Sequence, residues 1–144
     1  MILVTEGETA AFGARLAACA RRGDVIGLSG PLGVGKTTLV RGFLAALGHR
    51  DEVPSPSFAI VQPYDTLEPP AWHVDLYRLE HRSELAELGL DAADDAVLLV
   101  EWPERAGDNA WPEALRLSLD FAEAGARRLT AQVPPAWEGR WPPR

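Results

Sequence analysis

The segment that most constrains this chain is Gly-Pro-Leu-Gly-Val-Gly-Lys-Thr, at residues 30–37. Its spacing, G-x-x-x-x-G-K-T, is typical of loops whose backbone N–H groups close around phosphate oxygens. A short apolar run at residues 24–29 predicts a buried strand before it, and residues 36–47 predict a helix that ends before Gly48. A strand, a glycine-rich loop and a helix in this order predict a nucleotide phosphate site at the N-terminus of the helix.

Lys36 is the only lysine of the chain, and every other Lys or Arg position is an arginine. A compact ammonium on a flexible stem can reach the β- and γ-phosphates, whereas the wide planar guanidinium of arginine has a different shape and reach. The next residue, Thr37, can place a hydroxyl on Mg²⁺. We therefore predict a phosphate-binding lysine; the alternative is a glycine-rich turn with an incidental lysine.

Size and composition predict a globular chain. With 144 residues it is expected to form one domain and to bury roughly 68–70% of its unfolded surface. No apolar run approaches the roughly 20 residues of a membrane span, and residues 1–10 lack the basic and apolar regions of a secretory signal. Cys19 is the single cysteine, so no internal disulfide is expected. These features predict a cytoplasmic protein without membrane contact.

The net charge of −7 argues against direct binding of nucleic acid. Proteins that bind nucleic acid usually present a basic face to the phosphates, and no basic stripe is evident along this chain. If the chain serves a nucleic acid, we expect another subunit to hold the phosphates.

The remaining patterns predict an α/β fold with a mixed sheet. Residues 5–22 favour a helix that opens with a capping box from Thr5 to Glu8, and residues 82–89 favour a short capped helix. Further strands are predicted at residues 58–64, 71–77, 96–102, 115–121 and 126–133, the last two as a C-terminal antiparallel hairpin. Residues 1–133 are expected to form a single domain, and the proline-rich residues 134–144 a flexible tail.

Two carboxylates are candidates for the chemistry of the site. Glu101 ends the apolar run at residues 96–102, where a carboxylate can meet a metal or its waters; the alternative is a charged residue that merely ends a strand. His73, Asp75 and Tyr77 alternate with apolar residues and share one face of a predicted strand. Asp75 would hold Mg²⁺ or orient the attacking water, unless this face is a plain polar surface.

Guanine recognition of the Ras type is excluded. The single Asp-x-x-Gly, at residues 24–27, lies before the loop, and Asn-Lys-x-Asp cannot occur in a chain whose one lysine is Lys36. The segment Ser-Pro-Ser-Phe, at residues 55–58, follows the loop where switch segments sense the γ-phosphate. A plain turn is the alternative interpretation of that segment.

Together these motifs resemble the TsaE (formerly YjeE) family, the small bacterial ATPases of tRNA threonylcarbamoyladenosine synthesis. The family pattern G-x-L-G-x-G-K-T, S-P-T-F, H-x-D-x-Y-R and E-W-P stands here as GPLGVGKT, SPSF, HVDLYR and EWP, in the same order. The resemblance covers about residues 5–130. It departs at Ser57, which keeps the hydroxyl of the family threonine and loses its methyl group.

The resemblance implies a P-loop NTPase-like three-layer sandwich with a mixed, mainly parallel sheet. It also implies a cytoplasmic enzyme that binds ATP with Mg²⁺, hydrolyses ATP weakly alone, and works with the TsaB–TsaD pair. That pair forms N6-threonylcarbamoyladenosine beside the anticodon of tRNAs that read ANN codons, and the ATPase supports its repeated turnover. The protein would reach tRNA only through this complex.

The resemblance also assigns residues by position. Lys36, Asp75 and Glu101 would be catalytic, Thr37 and Glu101 would hold Mg²⁺, and Ser57 and Trp102 would be further functional residues. The nucleotide contacts would come from Thr5, Leu32, Gly33, Val34, Gly35, Lys36, Thr37, Thr38 and Arg127. Arg128 is the alternative to Arg127, and Thr5 is alternatively a helix cap alone.

Two other functions remain open from the sequence. A small-molecule kinase would need arginines over the phosphates, for which His81–Glu84 is a candidate lid. A nucleotide sensor without turnover would use ATP and ADP only to switch a binding face.

Overall fold

The computed structural model describes residues 1–54, 61–107 and 109–144. Its α-helices are α1 (Glu6–Cys19) and α2 (Lys36–Ala46). Its strands are β1 (Ile2–Leu3), β2 (Val25–Ser29), β3 (Val61–Tyr64), β4 (Ala71–Asp75), β5 (Val97–Glu101), β6 (Leu115–Phe121) and β7 (Arg127–Gln132). The predicted residues 58–60 of the third strand, and the predicted switch segment with Ser57, lie outside the described residues.

The described strands form one mixed sheet in the order β1-β7-β6-β2-β5-β4-β3. The four neighbours β6, β2, β5 and β4 are parallel, and the outer pairs are antiparallel. The strands β2 and β5 lie inside the sheet, and both of their faces are covered. Their sequences are therefore continuous apolar runs, as expected for buried parallel strands. The parallel order brings the carboxyl ends of β2, β4 and β5 to the same edge of the sheet.

The two α-helices cover one face of the sheet and pack closely against each other. A Cβ atom added at Gly13 would lie 2.1 Å from the carbonyl oxygen of Leu39, and one added at Gly42 would lie 1.9 Å from that of Ala10. Glycine at both positions therefore allows backbone contact between the helices. No helix within the described residues combines the length and the apolar character of a membrane span.

The predicted ends of α1 and α2 agree with the structure to within a few residues. The capping box at the start of α1 is present, with the Thr5 hydroxyl accepting from the backbone of Glu8 and the Glu8 carboxylate accepting from that of Thr5. α1 ends at Cys19 rather than at residue 22, because Ala20 is extended (φ −74°, ψ 148°).

Short 3₁₀ segments cover the opposite face of the sheet. They span Arg82–Leu88, Leu90–Ala93 and Pro103–Ala106, and their apolar side chains pack with Leu98 and Val100 of β5. The prediction of a capped helix at residues 82–89 was wrong in type: the segment is a 3₁₀ helix whose N-terminal residue gives no side-chain cap. The three-layer arrangement is nevertheless present, with α-helices on one face only.

The C-terminal hairpin is present as predicted. β6 and β7 pair antiparallel from Arg116 opposite Gln132 to Phe121 opposite Arg127. The short strand β1, which the sequence analysis did not predict, pairs with β7 and places Ile2 opposite Arg128. This pairing holds the start of α1 beside the hairpin.

Residues 134–144 pack on the domain, in contrast to the expected flexible tail. Trp137 is buried at 1% exposure, and the ring of Trp141 meets Phe12 of α1 edge-on at 6.0 Å. The guanidinium of Arg140 forms an ion pair with Asp24 at 2.7 Å and covers the Trp137 ring. The two tryptophans give this proline-rich segment enough apolar surface to bury. The boundary at residue 133 stays a prediction.

Candidate functional site

The glycine-rich loop joins β2 to α2 at the carboxyl edge of the sheet. Gly30 has φ 143° and Gly35 has φ 115°, both in a region that favours glycine. A side chain at Gly30 would also meet the Leu119 carbonyl oxygen at 2.3 Å. Gly35 is the N-cap of α2, so the first N–H groups of the helix have no partner within it. This geometry can bind an anion.

Lys36 lies inside the loop rather than in solvent. Its side chain is 5% exposed, and its ammonium donates to the carbonyls of Gly30 and Pro31. The ammonium also lies 3.9 Å from the centre of the Trp102 ring. Burial lowers the pKa of Lys36, and the Glu101 and Asp75 carboxylates oppose this effect. The structure therefore holds a poorly solvated cation at the glycine-rich loop.

Thr37 and Glu101 meet across the sheet edge. The Thr37 hydroxyl lies 3.1 and 3.2 Å from the two carboxylate oxygens of Glu101 and donates to them. Glu101 ends β5 beside Leu28 of β2 and is 3% exposed. Both oxygen donors are predicted from the sequence, and the structure places them together.

β4 brings a second carboxylate and a histidine to the same edge. In the β4–β5 register Asp75 is the partner of Glu101, and its carboxylate accepts from the backbone N–H of Tyr77 at 3.0 Å. Burial is the largest influence on Asp75 and raises the pKa of its carboxyl group. His73 is fully buried, and its Nε2 lies 2.5 Å from the Glu101 carboxylate. The alternative of a plain polar surface at His73 is therefore excluded.

Lys36, Thr37, Asp75 and Glu101 line one cleft of about 420 Å³, and His73 lies behind Glu101 without lining it. From the predicted site it contains Leu32, Gly33, Gly35, Lys36, Thr37, Thr38, Asp75, Glu101 and Trp102. Tyr77 and Arg78, which the sequence analysis did not assign to the site, line it too. Both residues belong to the HVDLYR motif at residues 73–78, so the sequence pattern could have identified them as site residues.

Trp102 closes one side of this cleft in an unusual backbone conformation. Its φ of 59° and ψ of 48° are left-handed, which costs a non-glycine residue about 1–3 kcal/mol. Its backbone N–H donates to the carbonyl of Leu28 at 3.1 Å, and its ring lies 4.9 Å from that of Tyr77. Backbone strain of this kind is common at binding sites.

A second cleft, of about 280 Å³, lies on the other side of the glycine loop. It contains the three predicted residues that the first cleft lacks: Thr5, Val34 and Arg127. Arg127 donates from Nε to the carbonyl oxygen of Val34 at 2.8 Å. Arg128 is exposed and does not line this cleft, so the geometry favours Arg127 of the two arginines.

The site can offer hard oxygen donors to a divalent cation. Mg²⁺ prefers oxygen ligands and usually takes only one or two carboxylates, completing its shell with water and phosphate. The Thr37 hydroxyl and the buried Glu101 carboxylate fit this preference. Among residues 1–54, 61–107 and 109–144, no three His, Cys, Asp or Glu side chains cluster into a ready-made metal site.

Comparison with known proteins agrees with this geometry. The family profile of threonylcarbamoyl adenosine biosynthesis protein TsaE matches residues 3–129. The tRNA threonylcarbamoyladenosine biosynthesis protein TsaE of Streptomyces coelicolor is 45% identical over 115 residues, which cover 77% of this chain and 78% of the relative. The protein of that name from Bacillus subtilis is 39% identical over 129 residues, or 88% and 80% of the two chains.

A solved structure shares the fold. The crystal structure of Bacillus subtilis YdiB superposes with a TM-score of 0.80 at 32% identity, covering 96% of this chain and 88% of YdiB. The likeness includes the P-loop, and a P-loop fold of this type implies nucleotide binding. With its family profile, its relatives and its fold in agreement, the chain belongs to the TsaE family.

Proposed function

We propose that this chain binds ATP with Mg²⁺ and hydrolyses it to support repeated turnover of the TsaB–TsaD pair, which forms N6-threonylcarbamoyladenosine in tRNA. The observation that carries the proposal is the meeting of Lys36, Thr37 and Glu101 at one cleft of a TsaE-family chain. The Lys36 ammonium would bind the phosphates, and the Thr37 hydroxyl and the Glu101 carboxylate would hold the Mg²⁺ that phosphoryl transfer requires.

The loop and the start of α2 bind the phosphates in this proposal. The N–H groups from Gly33 to Thr37 and the positive end of the α2 dipole attract the phosphate oxygens. Lys36 exchanges the carbonyls of Gly30 and Pro31 for the β- and γ-phosphates. Because its charge is poorly solvated, an anion at this place gains a strong partner.

Thr37 and Glu101 would hold the Mg²⁺ of the nucleotide. A bound Mg²⁺ neutralises charge on the phosphate oxygens. Thr37 is fixed by the first turn of α2 and Glu101 by the end of β5, so both donors stand on rigid elements. This rigidity limits the positions that the phosphates can take.

Asp75 would orient the water that attacks the γ-phosphate. Its carboxylate lies at the cleft beside the proposed metal ligands, and burial raises its pKa. A raised pKa makes the carboxylate a better proton acceptor near neutral pH than an ordinary aspartate. Thr5, Val34 and Arg127 line the second cleft, where the nucleoside part of ATP would lie.

The family relationship and the charge support the proposed dependence on partners. The relatives are named for tRNA threonylcarbamoyladenosine biosynthesis, and a net charge of −7 favours contact with tRNA through other subunits. P-loop enzymes of this size are often slow until a partner completes the site. Work on tRNA would also place the protein in the cytoplasm.

ATP turnover by the purified chain, alone and with the TsaB–TsaD pair, tests this function. We expect a low rate alone, strong stimulation by the pair, and no signal from the Lys36→Ala variant in either condition. An equal low rate with and without the pair would instead indicate a nucleotide-gated binding module. Turnover that needs a small metabolite and no protein partner would indicate a kinase.

A further inference from the structure

The side chain of His73 has one hydrogen bond among the described residues, and its partner is the carboxylate of Glu101. Its Nε2 lies 2.5 Å from the carboxylate oxygen Oε2, and the whole side chain is buried at 0% exposure. Its Nδ1 is also buried and has no hydrogen-bond partner within the described parts of the chain. Among the described residues, the ring therefore forms its hydrogen bond to the site through Nε2.

The direction of this hydrogen bond follows from the charge of Glu101. An ionised carboxylate only accepts hydrogen bonds, so beside an ionised Glu101 the ring donates from Nε2. Within the described parts of the chain, the other hydrogen bonds to the Glu101 carboxylate come from the Thr37 hydroxyl at 3.1 and 3.2 Å. His73 and Thr37 thus hold the same carboxylate from β4 and from α2.

Packing alone gives no reason for a histidine at this position. The core residues Ala71 and Leu99, which lie on the same face of the sheet, are apolar, and a buried ring nitrogen without a partner costs free energy. An apolar side chain of similar volume would fill the space without that cost. The use of an imidazole here is explained by the donor that it gives to Glu101.

Glu101 needs such a donor more than an aspartate would. P-loop enzymes usually have an aspartate at the end of this strand. Glutamate has one more rotatable bond, so its carboxylate can adopt more positions than that of an aspartate. A second hydrogen bond from a rigid, buried ring removes this freedom. Groups that orient a metal ligand in this way are known to affect metal affinity strongly.

We propose that His73 is a positioning residue, which locks the Glu101 carboxylate toward Thr37 and so sets the affinity of the site for Mg²⁺ when nucleotide is bound. This inference rests on the proposed function, because it concerns the same site. It adds a residue that contacts neither nucleotide nor metal and acts through Glu101.

Matched substitutions separate the hydrogen bond from the packing. His73→Gln keeps an amide donor close to the position of Nε2, whereas His73→Met has similar length and no donor. His49→Met serves as the control, since His49 is a half-buried histidine that lines neither of the two clefts. All are studied as the full chain, with circular dichroism to compare their folds.

The readout is the binding of a fluorescent ADP, N-methylanthraniloyl-ADP, first in EDTA and then over a Mg²⁺ titration. We expect His73→Met to raise the Mg²⁺ concentration for half-maximal effect by about 10–100-fold. His73→Gln should restore a value near wild type, and affinity in EDTA should be alike in all variants. A folded His73→Met variant with the Mg²⁺ dependence of wild type would overturn the proposal.

Two further results distinguish a failure of the proposed function from a failure of the proposal for His73. If the wild-type chain binds no nucleotide, the proposed function fails, whatever His73 does. If His73→Met does not fold, ¹⁵N–¹H correlation spectra of the wild-type imidazoles decide, with His73 assigned from the Gln variant. The inference expects a proton fixed on Nε2; a His73 ring protonated only on Nδ1 would contradict it.

Discussion

At the scale of single residues, Lys36 lowers the stability of the folded chain while it provides a charge for the proposed binding of phosphate. Its ammonium is almost completely buried, and its pKa is lowered mainly by the loss of solvent. A folded-state pKa below the ordinary value means that the charged form favours the unfolded chain at neutral pH. The Glu101 and Asp75 carboxylates raise the pKa of Lys36 again, but they offset only part of the effect of burial.

Replacing Lys36 by methionine should therefore separate binding from stability. We expect Lys36→Met to weaken ATP binding by at least about tenfold, as for the loss of a charged hydrogen bond of about 1.5 kcal/mol or more. The thermal midpoint without nucleotide should not fall. Calorimetry of binding and of unfolding measures both, and a clear loss of stability would show that the lysine is a net stabilising residue.

His73 marks a limit of prediction at this scale. Its alternation with Asp75 was visible in the sequence, but its contact with Glu101 depends on the pairing of β4 with β5. The left-handed backbone of Trp102 likewise depends on the turn that follows β5. The positions of Lys36 and Thr37 could be predicted from the spacing of the loop motif, and that of Glu101 from the apolar run that it ends; their roles stay predictions.

At the scale of elements, the alternation of side chains along β7 explains why Arg127 lines the second cleft and its neighbour Arg128 does not. Successive side chains of a strand point to opposite faces, so Arg127 reaches the second cleft and Arg128 is exposed. Arg127→Ala should weaken ATP binding by roughly tenfold, the effect of about 1.4 kcal/mol. Arg128→Ala is the matched control and should bind as wild type does; equal effects in equilibrium binding would reject this assignment.

The contact between α1 and α2 predicts opposite results for two glycine-to-alanine changes. Gly42→Ala must push a methyl group against the Ala10 carbonyl, which should destabilise the protein by about 1–3 kcal/mol or more. Gly7→Ala meets only ordinary contacts in the exposed first turn of α1, and it should gain up to about 1 kcal/mol of helix propensity. Urea unfolding distinguishes them, and equal stabilities would contradict the close packing.

The elements themselves were predicted where their patterns were long. The central strands, α1, α2 and the hairpin follow from apolar runs, a capping box and alternation. β1 was missed because Ile2 and Leu3 are too few residues to show a period, and their pairing is set by β7. The segment Arg82–Leu88 was expected as a capped helix, but no side-chain cap stabilises its start.

At the scale of the whole molecule, the C-terminal segment belongs to the packing that supports the site. Trp137 joins the same apolar cluster as Phe12 and Val34, and Val34 is a residue of the glycine loop. Composition alone suggested a loose tail, because prolines and isolated tryptophans have no period. Burial of Trp137 depends on the surface that α1 offers, which only the tertiary structure shows.

Trp137→Ala should accordingly lower the free energy of unfolding by about 3–5 kcal/mol, the usual cost of removing a buried tryptophan. Glu138→Ala changes an exposed neighbour and should have little effect. Denaturant unfolding of both variants tests the role of the segment. If Trp137→Ala unfolds as wild type does, the burial of Trp137 does not stabilise the fold, and the boundary at residue 133 would be supported.

The most direct test of the central claim counts threonylcarbamoyladenosine formed per TsaB–TsaD complex in a reconstituted reaction that contains this chain, ATP and tRNA. Glu101→Ala removes a proposed Mg²⁺ ligand, and circular dichroism checks that the fold survives. With the wild-type chain we predict many products per complex, and with Glu101→Ala no more than about one turnover, since ATP could not be hydrolysed to support the next. Normal repeated turnover with the folded Glu101→Ala variant would contradict the account.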